Sequence, residues 1–222
     1  MSLAALYWTL LCLIPAAYLL GGVPFGLLIG RARGVDVRAA GSGNIGATNV
    51  GRLLGKRYFF LVLLLDALKA AVPAGIASIL VHLNTDFDDR TPLLHALWLG
   101  TGVAALLGHI FSPFLRFRGG KGVATALGLV LGVFPYMTLP GLVAIVVFVV
   151  VYRFTRYISA GSLAGAALFP LSYLLFALRL GWDPFGRQWP LLAMVILVSA
   201  LIIIRHRANI ARLLSGTEMR SA

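Results

Sequence analysis

The residues best suited to chemistry lie in a short basic, glycine-rich stretch between two long apolar segments. Its basic side chains and glycines are His109, Arg116, Arg118, Lys121, Gly119, Gly120 and Gly122. Glycine has no Cβ, so its backbone N–H groups can approach an anion closely, and the lysine and arginines add positive charge. The residues from Val123 onward predict a helix whose N-terminus contributes a positive dipole end. A loop that only sets membrane topology does not need three glycines around a lysine, so this spacing favours phosphate binding.

A second polar stretch, residues 41–49, reads GSGNIGATN and is followed by Arg52, Lys56 and Arg57. Its short hydrogen-bonding side chains are Ser42, Asn44, Thr48 and Asn49. A turn with a helix cap is the alternative interpretation, because Ser, Asn and Gly favour both. A turn needs only two or three such residues, whereas seven of these nine positions are Gly, Ser, Asn or Thr. We predict a loop that wraps a polar ligand, with Arg52 binding a phosphate through two hydrogen bonds.

A third polar stretch, RHRANIARLLSGTE at 205–218, follows the last apolar segment. On one continuous helix, His206 and Asn209 share a stripe, and Arg205 and Arg212 follow another. A basic amphipathic tail on anionic lipid is the alternative, but such a tail does not need His206 or Asn209. The loop at 156–162 adds two further polar residues to the predicted pocket. These are Ser159 and Ser162.

Two ionisable residues lie within an apolar segment, where charges are costly and usually paired or functional. Asp66 and Lys69 are three residues apart, on one face of a helix. We predict an internal ion pair near the site and leave open whether its role is structural or functional. His109, a single histidine on an apolar helix, is interpreted as hydrogen-bonded packing.

The composition identifies a polytopic membrane protein. Of the 222 residues, 60% are hydrophobic and 12% are charged, about half the charged share of a soluble domain. The net charge of +12 does not indicate binding to nucleic acid, because the charged residues lie between apolar segments and do not form one basic surface. Anionic lipid or an anionic substrate is the better partner.

Cys12 is the only cysteine, which excludes a disulfide within the chain. Residues 1–30 carry no charged side chain and are interpreted as a retained first span.

Six apolar blocks set the expected topology. They are 2–30, 58–81, 92–115, 122–152, 161–178 and 189–204. The fourth is interrupted by Gly132, Pro135, Pro140 and Gly141, which favours a turn between two short helices, about 122–135 and 140–153. Each half has about a dozen apolar residues, or about 20 Å, short of a bilayer core of about 30 Å.

The distribution of charge supports this division. With two helices in the fourth block, fifteen of the eighteen Lys and Arg residues outside the spans share one side, whereas a single crossing gives eleven against seven. The positive-inside rule favours the first. We therefore predict a single all-α domain over 1–222 with seven transmembrane helices, the N-terminus outside and the C-terminus in the cytoplasm. Four acidic residues are expected outside: Asp86, Asp88, Asp89 and Asp183.

Some chemistries are missing from the sequence. No histidine is followed five positions later by aspartate, which excludes the His–Asp acyltransferase arrangement. The predicted cytoplasmic loops hold no carboxylate pair for Mg²⁺ or Mn²⁺. The sequence predicts a site for two anionic substrates, with no metal and no cofactor. It has three polar stretches suited to phosphate, many basic residues and few carboxylates.

With these stretches in view, the chain closely resembles the bacterial acyl-phosphate:glycerol-3-phosphate acyltransferases. The resemblance rests on GSGNIGATNVGRLLGK, DALK, GHIFSPFLRFRGGKGVAT and RHRANIARLLSGTE, in that order, and it covers essentially the whole chain. Ile45, where proline is common, and Ala70, where glycine is usual, are minor departures. The resemblance implies transfer of an acyl group from acyl phosphate to the sn-1 hydroxyl of glycerol 3-phosphate, an early step of phospholipid synthesis. It also implies a bacterial inner membrane location with the site facing the cytoplasm.

The resemblance also implies roles for individual residues. Ser42 and Arg52 would be essential, Gly119 to Gly122 would bind phosphate with Lys121, and Glu218 would brace the fold. His206 and Asn209 would serve the site. The expected partners are the two substrates, membrane lipid and an upstream enzyme that makes acyl phosphate. An organic phosphate transporter is the rival function, but the broken block 122–152 has no counterpart in the first half of the chain.

Overall fold

A computed structural model describes residues 1–86 and 89–220, and every regular element in this part of the chain is helical. Ten α-helices follow one another: α1 (Leu3–Gly22), α2 (Phe25–Ala32), α3 (Ala47–Leu54), α4 (Lys56–Asn84), α5 (Pro92–Ile110), α6 (Val123–Gly132), α7 (Thr138–Thr155), α8 (Ile158–Arg179), α9 (Trp189–Arg205) and α10 (Arg207–Leu214). A short 3-10 turn at Pro113–Leu115 follows α5. Asp88, predicted to lie outside, falls outside the described residues.

Five helical segments are long and apolar enough to cross a membrane. They are Leu3–Ala32, Lys56–Asn84, Pro92–Leu115, Thr138–Thr155 and Ile158–Arg179. A sixth is added if α9 and α10, which meet at a bend of 56°, count as one span. The predicted multi-pass, all-helical membrane protein is therefore confirmed, and the number seven and the orientation stay predictions.

The prediction of two short helices over 122–152 is correct for the first and wrong for the second. Helix α6 has 10 residues, whereas α7 begins at Thr138 and has 18. Pro140 lies in the first turn of α7, where its missing N–H has no intrahelical partner to lose, so the helix begins before the proline. The block 2–30 is likewise interrupted, since Pro24 separates α1 from α2.

The predicted continuous helix after residue 205 is also wrong. Helix α9 ends at Arg205 and α10 begins at Arg207, so the stripes drawn on one straight helix do not apply. His206 lies at the bend, where its backbone N–H donates to the carbonyls of Ile202 and Ile203. His206 and Asn209 are nevertheless both buried.

The described chain forms two compact units, which are treated separately below. The first comprises Met1–Asp89 and Leu97–Gly132, and the second comprises Arg90–Ala96 and Val133–Ala222. The single domain stays a prediction.

Close backbone contact holds the helices of the first unit together. A Cβ at Gly128 of α6 would lie 1.9 Å from the carbonyl oxygen of Ala67 of α4, so only glycine permits this spacing. The Trp98 indole Nε1 donates to Ser78 Oγ at 2.8 Å, and this hydroxyl donates to the carbonyl of Gly132 at 2.5 Å. Buried indole and hydroxyl groups thereby satisfy each other next to the end of α6.

The first polar loop rests on a separate small core. Its buried members are Leu27, Val37, Ile45, Ala47, Val50 and Val62. They come from α2, the loop, α3 and α4. Burial of these side chains holds α3 and the polar loop on α4.

In the second unit, α7 and α8 pack through small residues. A Cβ at Gly161 would lie 2.8 Å from the carbonyl oxygen of Phe148, and one at Gly165 would lie 2.8 Å from that of Ala144. The buried hydroxyl of Ser172 in α8 lies within hydrogen-bond distance of two carbonyls, that of Pro140 in α7 at 3.1 Å and that of Phe169 in its own helix at 2.8 Å. The start of α8 carries Ser159 and Ser162.

Candidate functional site

The side chain of Asn49 holds the first polar loop together. Its Nδ2 donates to the carbonyls of Val37 at 2.8 Å, Ala40 at 3.1 Å and Asn44 at 3.0 Å. Its Oδ1 accepts the backbone N–H of Ser42 at 2.8 Å. Asn49 is only 1% exposed, so these bonds are made where water does not compete. We call residues 36–49 the Asn49 loop.

The fixed backbone of the Asn49 loop presents its other polar residues outward. Ser42 and Arg52 are exposed, and Asn44 and Thr48 are partly buried. Asn44 Oδ1 accepts the N–H of Gly46 at 2.8 Å. Ser42 and Arg52 lie at the surface, and the donors of Asn49 bond to the backbone of the loop. Substrate binding by Asn49 stays a prediction, and the geometry favours a bracing role.

At the entrance of the Asn49 loop, an exposed ion pair joins two residues of the turn after α2. The Arg38 guanidinium donates to both carboxylate oxygens of Asp36, at 3.0 and 2.6 Å. These hydrogen bonds, with the backbone N–H of Arg38, hold the pKa of the Asp36 carboxyl well below its usual range. Because both groups lie in solvent, the pair is not a candidate ligand site of its own.

The glycine-rich basic stretch follows the end of α5 closely. The N–H of Gly119 donates to the carbonyl of Ile110 at 3.0 Å, and that of Gly120 donates to the carbonyl of His109 at 3.1 Å. Both N–H groups are thus bonded to the carbonyls at the end of α5, which lack intrahelical partners, and phosphate binding by Gly119 and Gly120 stays a prediction.

The features of the stretch that would suit an anion lie one step further along the chain. Gly122 has φ of +85°, a conformation that favours glycine, and α6 begins directly after it at Val123. The first N–H groups of a helix have no intrahelical acceptor and carry the positive end of its dipole. Lys121, partly buried, stands just before this helix start, so its charge and the start of α6 suit a phosphate.

Beneath this stretch lies a buried group of three ionisable side chains. The Lys69 ammonium lies 2.8 Å from the Asp66 carboxylate, which confirms the predicted internal pair. Lys69 Nζ also lies 2.7 Å from His109 Nδ1 and donates to the carbonyl of Val23 at 3.1 Å. His109 is thus buried and hydrogen-bonded, as predicted. Its connection with Lys69 was not foreseen, since 40 residues separate the two along the chain.

In the second unit, Glu218 gathers three side chains. Its Oε1 accepts from Ser159 Oγ and from Asn209 Nδ2, both at 2.6 Å, and its Oε2 accepts from Arg212 Nε at 2.7 Å. Burial alone would raise the pKa of Glu218, but these three hydrogen bonds and the Arg212 charge outweigh it and bring the pKa below its usual value. We call these four residues the Glu218 cluster.

The Glu218 cluster orders Asn209, whereas the predicted ligand residue His206 is held by a hydrogen bond of its own. Asn209 Oδ1 is buried and accepts no hydrogen bond from any residue that the structure describes. This oxygen can therefore accept a hydrogen bond from a ligand. His206 is 2% exposed, and its Nδ1 lies 2.8 Å from the carbonyl of Ile202. A carbonyl only accepts, so Nδ1 carries the ring proton and Nε2 is the acceptor of the neutral ring. Ser162 is turned back on its own helix, since its hydroxyl donates to the carbonyl of Ile158 at 2.9 Å.

Among the described residues, no three His, Cys, Asp or Glu side chains come together as a metal site would require. The absence of a metal and of a cofactor from the reaction stays a prediction.

The chain is similar along its whole length to proteins of one family. The family model for glycerol-3-phosphate acyltransferase matches residues 10–216. The glycerol-3-phosphate acyltransferase of Geotalea daltonii is 44% identical over 207 residues, covering 93% of this chain and 94% of the relative. That of Geobacter sulfurreducens is 45% identical over 211 residues, covering 95% and 96%.

Two solved structures have the same fold. Both are crystal structures of PlsY (YgiH), an integral membrane glycerol 3-phosphate acyltransferase, in a glycerol 3-phosphate form and a lysophosphatidic acid form. Each is 41% identical to this chain and covers 96% of both chains, with TM-scores of 0.78 and 0.75. With a family model over most of its length, relatives above 40% identity and a shared fold, this chain belongs to the glycerol-3-phosphate acyltransferase family.

Proposed function

We propose that this protein transfers an acyl group from acyl phosphate to the sn-1 hydroxyl of glycerol 3-phosphate, an early step of phospholipid synthesis. The products are 1-acyl-glycerol 3-phosphate and inorganic phosphate. The observation that carries the proposal is the full-length identity of 44–45% to glycerol-3-phosphate acyltransferases, together with a fold shared with structures of such an enzyme in substrate and product forms.

The reaction needs two anionic molecules held side by side. The glycerol hydroxyl oxygen attacks the acyl carbonyl carbon, the bond from that carbon to the phosphate oxygen breaks, and the hydroxyl proton leaves with the phosphate. Arg52 and Lys121 bind the phosphate groups, and the start of α6 adds its dipole. Holding the reactants in this arrangement removes several kcal/mol of the barrier, on the order expected for proximity effects.

The residues of the Glu218 cluster position the acceptor. Asn209 Nδ2 is held by Glu218, which leaves Oδ1 to accept a hydrogen bond from a glycerol hydroxyl. His206 Nε2 is a second acceptor of this kind. Ser159 and Ser162 are further substrate-binding residues of the second unit, and Ser42 is one of the first unit.

The donor phosphate, and not His206, takes the proton. Arg205 and Arg207 flank His206 in sequence, and positive charges disfavour protonation of an imidazole. The phosphate leaves as a stable anion and needs no separate general acid. We expect His206→Asn, which retains a side-chain acceptor, to raise the KM for glycerol 3-phosphate more than it lowers kcat. A kcat reduced by several orders of magnitude at unchanged KM would identify His206 as the base.

The chain crosses the bacterial inner membrane seven times, with the N-terminus outside and the C-terminus in the cytoplasm. In this arrangement α6, about 15 Å long by the helical rise, crosses as a short helix supported by its neighbours. The loops 31–57, 116–121, 153–156 and 205–220 then share the cytoplasmic side, as the positive-inside rule prefers. The acyl chain enters from the lipid, and an upstream enzyme that makes acyl phosphate supplies the donor.

Purified protein in lipid vesicles with labelled glycerol 3-phosphate tests the proposal. Acyl phosphate, acyl-CoA and an acyl carrier protein thioester are offered separately, with a chelator present to remove divalent metal. We expect labelled lysophosphatidic acid from acyl phosphate alone. Product only from thioesters would overturn the donor, product only without the chelator would overturn metal independence, and label accumulating unchanged inside the vesicles would indicate a transporter.

A further inference from the structure

We propose that His109 is a positioning residue for the glycine-rich stretch that carries Lys121. Its ring is held from one side by Lys69 and lies against the backbone of Gly120 on the other. This inference rests on the proposed function, because it assigns a role to His109 in placing the phosphate-binding lysine.

The ring of His109 is fixed by the ion pair in α4. An ammonium has only donors, so Lys69 donates to His109 Nδ1 over 2.7 Å, and the neutral ring carries its proton on Nε2. The side chains of Lys69 and Asp66 are 1% and 3% exposed, and His109 is 4% exposed. A buried ammonium needs its acceptors, so these contacts restrict the ring to one orientation.

The other end of the ring occupies the space beside Gly120. A Cβ added at Gly120 would lie 2.3 Å from His109 Nε2, 2.9 Å from Cε1 and 3.3 Å from Cδ2, and these are the three nearest atoms. The obstacle at Gly120 is thus one side chain. At Gly119 the obstacle is backbone, because a Cβ there would lie 1.9 Å from the carbonyl oxygen of His109.

The two glycines therefore serve contact with α5, since their N–H groups also bond to its carbonyls. We had assigned the absence of Cβ at Gly120 to the approach of a phosphate. The geometry assigns it to the approach of the His109 ring, and Lys121 follows directly in the chain. A change in the ring is expected to move Lys121 and to weaken binding of an anionic substrate.

A double-mutant cycle at positions 109 and 120 tests this inference. Gly120→Ala alone is expected to lower kcat/KM by about 30-fold or more, chiefly through KM, because the new methyl group displaces the stretch from the ring. In a His109→Ala background the same change has room for its methyl group and is expected to cost less than about threefold. An equal cost in both backgrounds would show that Gly120 is needed for the ligand and would overturn the inference.

Gly119→Ala is the matched control. Its methyl group meets the carbonyl oxygen of residue 109, which His109→Ala retains, so its cost is expected to be equal in the two backgrounds. Rescue of Gly119→Ala by His109→Ala would mean that truncation loosens the whole stretch, and this too would overturn the specific contact. If His109→Ala does not fold, His109→Asn replaces it, since the amide oxygen can accept from Lys69 while the ring is absent.

Thermal unfolding of the detergent-solubilised variants separates this inference from the proposed function. The same coupling between positions 109 and 120 is expected in Tm, with no substrate present. If the effects of the two substitutions are coupled in Tm but not in KM, His109 contributes only to packing, and its positioning role is overturned. A wild-type protein inactive with every acyl donor would refute the proposed function, while the cycle in Tm would still report whether the ring and Gly120 are in contact.

Discussion

In both the Asn49 loop and the Glu218 cluster, one side chain holds a polar segment in place, but it is a neutral amide in the loop and an ionised carboxylate in the cluster. In the first, one neutral amide bonds to four backbone groups and leaves the side chains of Ser42 and Arg52 exposed. In the second, one carboxylate bonds to three side chains, two of which are themselves predicted to line the site. The proposed ligand contacts thus fall on residues other than the brace in the Asn49 loop and α3, and on the braced residues themselves in the Glu218 cluster.

This difference predicts how substitutions act. A change of the brace in the Asn49 loop should alter the fold of the loop, whereas a change of its exposed residues should alter kinetics alone. In the Glu218 cluster the two effects should be mixed and should depend on pH, because the brace is ionised.

Asn49→Ala is expected to have the largest effect. It leaves buried carbonyls and one N–H without a partner, which should lower the free energy of unfolding by about 3 kcal/mol and the activity by about 1000-fold. Tm in detergent and the rate of lysophosphatidic acid formation measure the two quantities. Asn44→Ala, which removes one hydrogen bond to Gly46, is the matched control and should be milder. An Asn49→Ala protein with wild-type Tm and a raised KM would restore the original prediction that Asn49 contacts substrate.

Arg52→Ala comes next and should separate kinetics from stability. Loss of a charged contact to phosphate is expected to raise KM for one anionic substrate by about 100-fold, and Tm should stay at the wild-type value because Arg52 is exposed. Arg52→Lys keeps the charge but not the planar pair of donors, so it should recover only part of the loss. A fall in Tm would show that Arg52 belongs to the brace.

Glu218→Gln should have a smaller effect, about tenfold on activity, because one amide oxygen still accepts while the amide nitrogen faces Arg212. The pH dependence is the sharper test. The folded pKa of Glu218 lies below its unfolded value, so its contribution to stability is complete above the unfolded pKa and is lost as pH falls through the folded pKa. Wild-type Tm should therefore fall more steeply than that of Glu218→Gln as the pH is lowered through and below the ordinary pKa range of a glutamate. Parallel curves would show that the carboxylate is not the stabilising form.

Arg38→Ala should have the smallest effect. Its ion pair with Asp36 lies in solvent, and exposed pairs contribute little to stability. We expect Tm and kcat/KM unchanged within error, in 50 mM and in 500 mM salt. A clearly lower Tm would show that the Asp36–Arg38 pair also stabilises the Asn49 loop.

The helices were predictable where the apolar run was long and uninterrupted, because only a helix satisfies its own backbone in lipid. Helices α4, α5 and α8 lie close to the predicted blocks for this reason. Prolines misled the prediction, since a proline in the first turn does not end a helix. The bend at His206 has no such marker in the sequence.

The buried ion pair could be predicted from the sequence, whereas the contacts between distant parts of the chain could not. The pair Asp66–Lys69 follows from helical spacing, whereas Lys69 meets His109 from 40 positions away and Ser159 meets Glu218 from 59. Composition also does not show the direction of a backbone N–H. The N–H groups of Gly119 and Gly120 donate to carbonyls at the end of α5.

The contact between Gly128 and Ala67 has a consequence for how the chain enters the membrane during synthesis. Helix α6 has 10 residues, about half the length that a lone helix needs to be stable across the hydrocarbon core. It touches α4, which precedes it in the chain, backbone to backbone. In the proposed topology α6 inserts against α4, so a bulky residue at Gly128 is expected to act first on assembly of the nascent chain.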